Sequence, residues 1–112
     1  MSHKKELNEI GFLGTNASAI VTNSDRRKTI IKNIILHNID TTNDYKVYLY
    51  IVKSGETASD SKRFASPTVK AEDTAFVEIS GDGLIMSSPG KSLQAKAEVA
   101  DKITIHVMGE VE

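Results

Sequence analysis

Three features of the sequence predict an all-β fold: one antiparallel β-sandwich, immunoglobulin-like or jelly-roll, of about seven or eight strands, with an extended N-terminal arm. Apolar and polar residues alternate over short runs. Those runs are rich in isoleucine, valine and tyrosine, and Gly, Asn, Asp, Ser and Pro punctuate them. Branched and aromatic side chains suit a pleated, half-buried surface. The punctuating residues adopt turn geometries that other residues resist. At 112 residues the chain is long enough for one domain whose core needs neither disulfide nor metal.

The elements follow in order. Residues 1–16 are expected as an arm and 17–112 as the sandwich domain. Within the arm Leu7, Ile10 and Leu13 have the spacing of one short helical face, but Gly11 and Gly14 interrupt it, so an extended segment is expected. A strand follows at 17–22, then a polar turn, Asn23-Ser24-Asp25-Arg26-Arg27. The run at 28–39 carries five isoleucines, whose stiff side chains prefer strands to helices. Ile30, Ile34 and Leu36 share one parity, and Ile31, Ile35 and Ile39 the other, the pattern of a strand covered on both faces.

Asp40-Thr41-Thr42-Asn43-Asp44 is a turn. The strand after it, 45–53, points Tyr45, Val47, Leu49 and Ile51 inward and Tyr48 and Tyr50 outward. The two strands and their short connection predict a hairpin. The polar loop Ser54–Arg63 is longer than an ordinary hairpin connection, so it is expected to cross between sheets or to serve a contact. Further strands are expected at 62–66, ending at Pro67, and at 75–79. A turn at Ser80-Gly81-Asp82-Gly83 leads to 84–86, and Ser87-Ser88-Pro89-Gly90 suits a type II turn. The cleanest alternation comes last: Leu93, Ala95, Ala97 and Val99, then Ile103, Ile105 and Val107.

Composition excludes several functions. The chain has no cysteine, which removes thiolate zinc sites and thiol nucleophiles. Fourteen basic residues against fifteen acidic ones leave no cationic surplus for nucleic acid. The longest apolar stretch, Val47–Val52, is six residues, far short of the roughly 20 that span a bilayer. No signal peptide is read at the N-terminus, and no membrane or nucleic-acid partner is expected.

No catalytic constellation is complete. His3, His37 and His106 lack a third ligand at supporting spacing, and no serine sits in a Gly-x-Ser-x-Gly elbow. Asp40, Asn43 and Asp44 have the composition of a turn rather than of a calcium loop. Gly81-Asp82-Gly83 lacks the lysine and helix of a phosphate loop, and Arg26-Arg27-Lys28 reads as a solvated turn. No enzyme activity, cofactor or metal is expected. Surface remains. Tyr48 and Tyr50 are of the type enriched at interfaces, Ile31 and Ile35 lie on the doubly apolar run, and Leu7, Ile10 and Leu13 line an arm that orders on assembly. These seven are the candidate interface residues.

Ile-Ile-Lys-Asn-Ile-Ile-Leu-His-Asn (30–38), a short polar turn and Val-Tyr-Leu-Tyr-Ile-Val-Lys-Ser-Gly-Glu (47–56) resemble a pattern of small structural proteins of tailed-bacteriophage virions. Gly-Lys-Ser-Leu-Gln-Ala-Lys-Ala (90–97) and Ile-Thr-Ile-His-Val-Met-Gly-Glu-Val-Glu (103–112) are similar to the closing strands of those proteins. The resemblance covers 30–112 and departs from the pattern at Ser80–Met86. It implies a non-enzymatic virion component made in the host cytoplasm: a capsid decoration or cement protein, or else a tail or head-tail part. Its implied partners are further copies of itself and other virion proteins such as the major capsid protein. A carbohydrate-binding sandwich, using Tyr48 and Tyr50 beside the Ser54–Arg63 loop, is the alternative.

Overall fold

Ten strands form among the described residues, 5–79 and 81–112 of a computed structural model. Residues 1–4 of the expected arm, His3 among them, and Ser80 of the expected 80–83 turn lie outside that range. The strands are β1 (Lys5–Phe12), β2 (Ser18–Thr22), β3 (Thr29–Asn38), β4 (Tyr45–Val52), β5 (Arg63–Ala65), β6 (Thr68–Val69), β7 (Thr74–Val77), β8 (Leu84–Met86), β9 (Ser92–Ala97) and β10 (Ile103–Val111). A single 3-10 turn, Asp60–Lys62, precedes β5. The expected strands are all present, within a residue or two at most ends. β6 joins them, and part of the segment expected as an arm forms β1, paired with β10 from Lys5↔Val111 to Phe12↔Thr104.

Two antiparallel sheets pack face to face. One runs β1-β10-β3-β7, with β8 also on β3. The other runs β2-β9-β4-β5, with β6 also on β4. The chain is a long ribbon folded at its middle, as the partners show: Lys5↔Val111, Val21↔Leu93, Leu36↔Ala75 and Leu49↔Ala65 close step by step on the 53–62 loop. The ribbon then rolls up, so that β10 meets β3 and β9 meets β4. With β5 and β6 taken as one strand, and β7 and β8 as another, this is the eight-strand jelly roll, one of the two arrangements expected.

The predicted hairpin of β3 and β4 does not form. These strands lie in different sheets, and the 39–44 connection is the corner between them. Asn38 makes it a corner. Its buried amide donates to the carbonyls of Asn43 (2.8 Å) and Val69 (3.1 Å), while its Oδ1 accepts from Asp40 N–H (2.9 Å). An amide buried at this depth must be fully hydrogen-bonded, and a hairpin would leave Asn38 no such partners. Asn23 performs the same task at the β2–β3 corner. It donates to the carbonyls of Arg27 and Ser88 and accepts from the Thr29 hydroxyl. The polar loop expected at 54–63 does not cross between sheets: residues 53–62 close the β4–β5 hairpin within one sheet.

A bulge resolves the double apolar parity of β3. Met108 pairs with Asn33 but Gly109 pairs with Ile31, so Lys32 is the extra residue. Before the bulge Thr29 and Ile31 face inward, and after it Ile34, Leu36 and Asn38 do. A bulge shifts side-chain parity by one, so a single core face reads in the sequence as two. Gly109 lies opposite. A Cβ there would sit 3.0 Å from the Ile30 carbonyl carbon and 3.1 Å from the Ile31 Cα, and closer still to the Ile30 oxygen. Glycine is required for this approach.

Between the sheets Leu13, Val21, Ile31, Ile34, Leu36, Val47, Leu49, Met86, Leu93, Ile103, Ile105 and Val107 form one core. Among the described residues every buried side-chain nitrogen and oxygen has a hydrogen-bond partner.

Candidate functional site

Residues directly opposite on antiparallel strands share a face. The pairings Ile10↔His106, His106↔Ile35 and Ile35↔Phe76 therefore draw one continuous row across β1, β10, β3 and β7 on the outside of their sheet. Phe12, Thr104, His37 and Thr74 make the row beside it. Ile10 is 72% exposed, Phe76 71% and Phe12 54%. Among the described residues nothing covers them. The inner faces of β3 and β10 hold the core, with Ala75 and Val77 of β7 and Leu7 of β1 packed at its margin, so the apolar row is backed by a packed sheet.

The polar groups on this face are already engaged. His106 Nε2 is hydrogen-bonded to Asn8 Oδ1, and His37 Nδ1 lies 2.9 Å from the Thr74 hydroxyl. Among the described residues no group of three or more His, Cys, Asp or Glu side chains could hold a metal ion. Asp40, Asn43 and Asp44 also lack the convergence of a cation site. Asp40 accepts from Tyr45 O–H (2.7 Å), from Thr42 N–H and hydroxyl, and from Asn43 N–H, while Asp44 accepts from Ala71 N–H. The Tyr45 hydroxyl and then the Thr42 N–H hold the Asp40 carboxyl far below the usual carboxylate range. The same contact with Asp40 pushes the Tyr45 phenol up. Such bonds to the ionised form lock the corner.

The outer face of the other sheet is different. Tyr50, expected to point to solvent, is 3% exposed, and Val52 beside it is buried. The 53–62 loop folds back here. Its 3-10 turn lies against β4, and residues 56–58 stand beside Gln94 and Lys96. Tyr48 is half-buried and clasped by cations: the Arg63 guanidinium is 5.1 Å from the ring centre and the Lys96 ammonium 5.4 Å, both within cation–π range. The depression beside them is lined by Thr15, Asn16, Glu56, Thr57, Gln94 and Lys96. No pair of exposed tyrosines borders it.

With Tyr48 half-buried against its two cations, the structure divides the other six expected interface residues. Ile10 and Ile35 stand in the outer row, Ile10 bare and Ile35 half-buried. Leu7 is half-buried at the margin of the core. Leu13, Ile31 and Tyr50 are buried within the protomer and offer nothing to a partner. Leu13 caps the core where the chain leaves β1, Ile31 is on the inner side of the bulge, and Tyr50 is buried on the face of β4 that the loop approaches. Phe12 and Phe76 were missed. The signal was present for Phe76, a large aromatic on the polar parity of its strand with Glu78.

No protein-family model matches the chain, and no curated protein matches it in sequence. In structure it is similar to a chain from the acidic stable capsid structure of Helicobacter pylori bacteriophage KHP30. That likeness has a TM-score of 0.56 and 12% identity, and it covers 97% of this chain and 88% of the other. At that identity the likeness concerns the fold.

Proposed function

We propose that the chain is a non-enzymatic structural protein of a bacteriophage virion, a capsid decoration or cement protein that self-associates and docks on the capsid lattice. The observation that carries this reading is the exposed row Ile10–His106–Ile35–Phe76 on a rigid sheet. A contiguous apolar patch on a stiff scaffold suits attachment to another protein. A reaction would instead call for a pocket with convergent, perturbed ionisable groups, and among the described residues the two groups with shifted pKa values, Asp40 and Tyr45, are bonded to each other at a corner. The likeness to a chain of a phage capsid structure and the resemblance at 30–56 and 90–112 support the same reading. The occupant of the outer face is then the major capsid protein.

Mass spectrometry of purified particles produced from the genome that encodes the chain tests the assignment. The protein is expected in intact heads at a fixed ratio to the major capsid protein. Its absence from particles overturns the reading, and recovery with isolated tails alone moves it to the tail. The combined variant Ile10→Ser/Phe76→Ser is expected to keep its circular-dichroism spectrum and lose particle binding. Undiminished binding would remove the outer row from the docking surface.

A further inference from the structure

β1 is an edge strand, and the direction of its backbone groups is set by its pairing with β10. Leu13 N–H donates to the Ile103 carbonyl (2.8 Å) in the same register that pairs Phe12 with Thr104. Hydrogen-bonding direction alternates along an antiparallel strand. The odd residues of β1 therefore bond to β10, and Glu6, Asn8, Ile10 and Phe12 turn their N–H and C=O groups to the other side. Among the described residues no strand lies there.

An open edge of this kind is a template for another strand. Natural edges are blunted by proline, by bulges or by charges that punish pairing. β1 has no proline, and its pairing with β10 runs without a shift. It does have charges, Lys5, Glu6 and Glu9, and these select one partner. Consider a second β1 laid antiparallel across a two-fold axis normal to the sheet. Each side chain keeps its face, so odd residues meet odd and even meet even. With Leu7 opposite Leu7, Lys5 meets Glu9 twice, and Glu6 meets Asn8 twice. The even pairs then exchange the backbone bonds that the free edge offers. One step to one side places Glu6 against Glu6. One step to the other leaves Lys5 facing Gly11 and Glu9 facing Leu7, and a further step sets Glu9 against Glu9. Like charges directly opposite destabilise a pair and unlike charges stabilise it.

We infer that two copies of the chain pair through their β1 edges, antiparallel and centred on Leu7, extending β1-β10-β3-β7 into one sheet across a two-fold axis. The contact is isologous. It would place the two outer rows side by side on one broad face, since Ile10 is the β1 member of each. The inference rests on the self-association in the function proposed above and names its partner and register.

The absence of cysteine makes the test direct. Leu7→Cys, at the two-fold axis in a pair that does not exchange backbone bonds, is expected to give a disulfide-linked dimer on mild oxidation of the purified protein. Ile10→Cys should remain monomeric. More efficient linkage through Ile10→Cys would overturn the register. In sedimentation velocity the unmodified protein should show a concentration-dependent dimer. Lys5→Glu and Glu9→Lys should each raise the dissociation constant by about tenfold or more, and the double exchange should restore it. A protein that stays monomeric at millimolar concentration, or a double exchange without rescue, overturns the pairing. A monomer that still binds particles defeats this inference and leaves the virion assignment standing. A Leu7-centred dimer absent from particles does the reverse.

Discussion

The outer faces of the two sheets begin from the same local pattern and end differently. On β4, Tyr48 and Tyr50 alternate with core residues much as Ile35 does on β3 and Phe76 on β7. Yet Tyr50 is buried and Tyr48 lies beside two cations, while Ile10 and Phe76 are more than two thirds exposed. The difference is the 53–62 loop. It closes the β4–β5 hairpin and lies back over its own sheet, and no described segment does the same for β1-β10-β3-β7. Period-two alternation decides which side chains share a face. Whether an outer face is core or contact surface depends on what the rest of the chain lays across it.

Four substitutions test that contrast. The largest effect is expected for Tyr50→Ala, which empties a site the loop has enclosed. The urea midpoint should fall by the equivalent of about 3–4 kcal/mol, and a loss below about 1 kcal/mol would mean that the loop does not seal the face. Gly109→Ala should cost about 3 kcal/mol by driving a Cβ into the Ile30 backbone and opening the β10–β3 bulge. Hydrogen exchange should rise in β3 and β10 and leave β4 and β9 unchanged.

Asp40→Asn comes next and acts at low pH. Asp40 holds a pKa well below its unfolded value because Tyr45 and Thr42 donate to its ionised form. The stability it lends is complete above the ordinary carboxylate range, near pH 4, and declines as pH falls below that. The variant should unfold more easily at neutral pH and show a flatter stability profile between about pH 4 and 2. An unchanged profile would mean the corner does not depend on that charge. Smallest is Phe76→Ala, expected to move stability by less than about 0.5 kcal/mol, as exposed sites do, while weakening particle binding. A Phe76 loss comparable to that of Tyr50 would erase the distinction between the faces.

Much of the fold was legible before the structure. The alternation in 92–97 and 103–108 is uninterrupted, and those strands form with Leu93, Ala95, Ala97, Ile103, Ile105 and Val107 inward, while Val99, expected with them, lies past the end of β9 and is half-buried. The candidate surface was only half legible. Ile10 and Ile35 were identifiable as apolar residues without an assigned core position, but Ile31 was grouped with them because the bulge at Lys32 has no local marker. Leu13 was read as part of a free arm because nothing in 1–16 shows that β10 is long enough to pair with it. Phe12 sat next to a glycine in that same arm, so no alternation revealed its face.

The two connections around β4 show where local reading ends. Five polar residues at 40–44 suit a hairpin, and a ten-residue loop at 54–63 suits a crossing or a contact. The structure puts the corner at the first and the hairpin at the second, and Asn38 fastens that corner through partners at Val69 and Asn43, distant and near.

By itself the sequence determined the strand content, the single core, the absence of thiol chemistry and the side of each regular strand that is apolar. These follow from local alternation and composition, which need no knowledge of the partner strand. Only the tertiary structure decided that the ribbon rolls into a jelly roll, that one bulge turns two apolar parities into one, and that a loop shelters one outer face and leaves the other bare. Each of these depends on contacts between residues far apart in the chain. Such contacts form when the whole ribbon closes on itself, and no short window of residues encodes that closure.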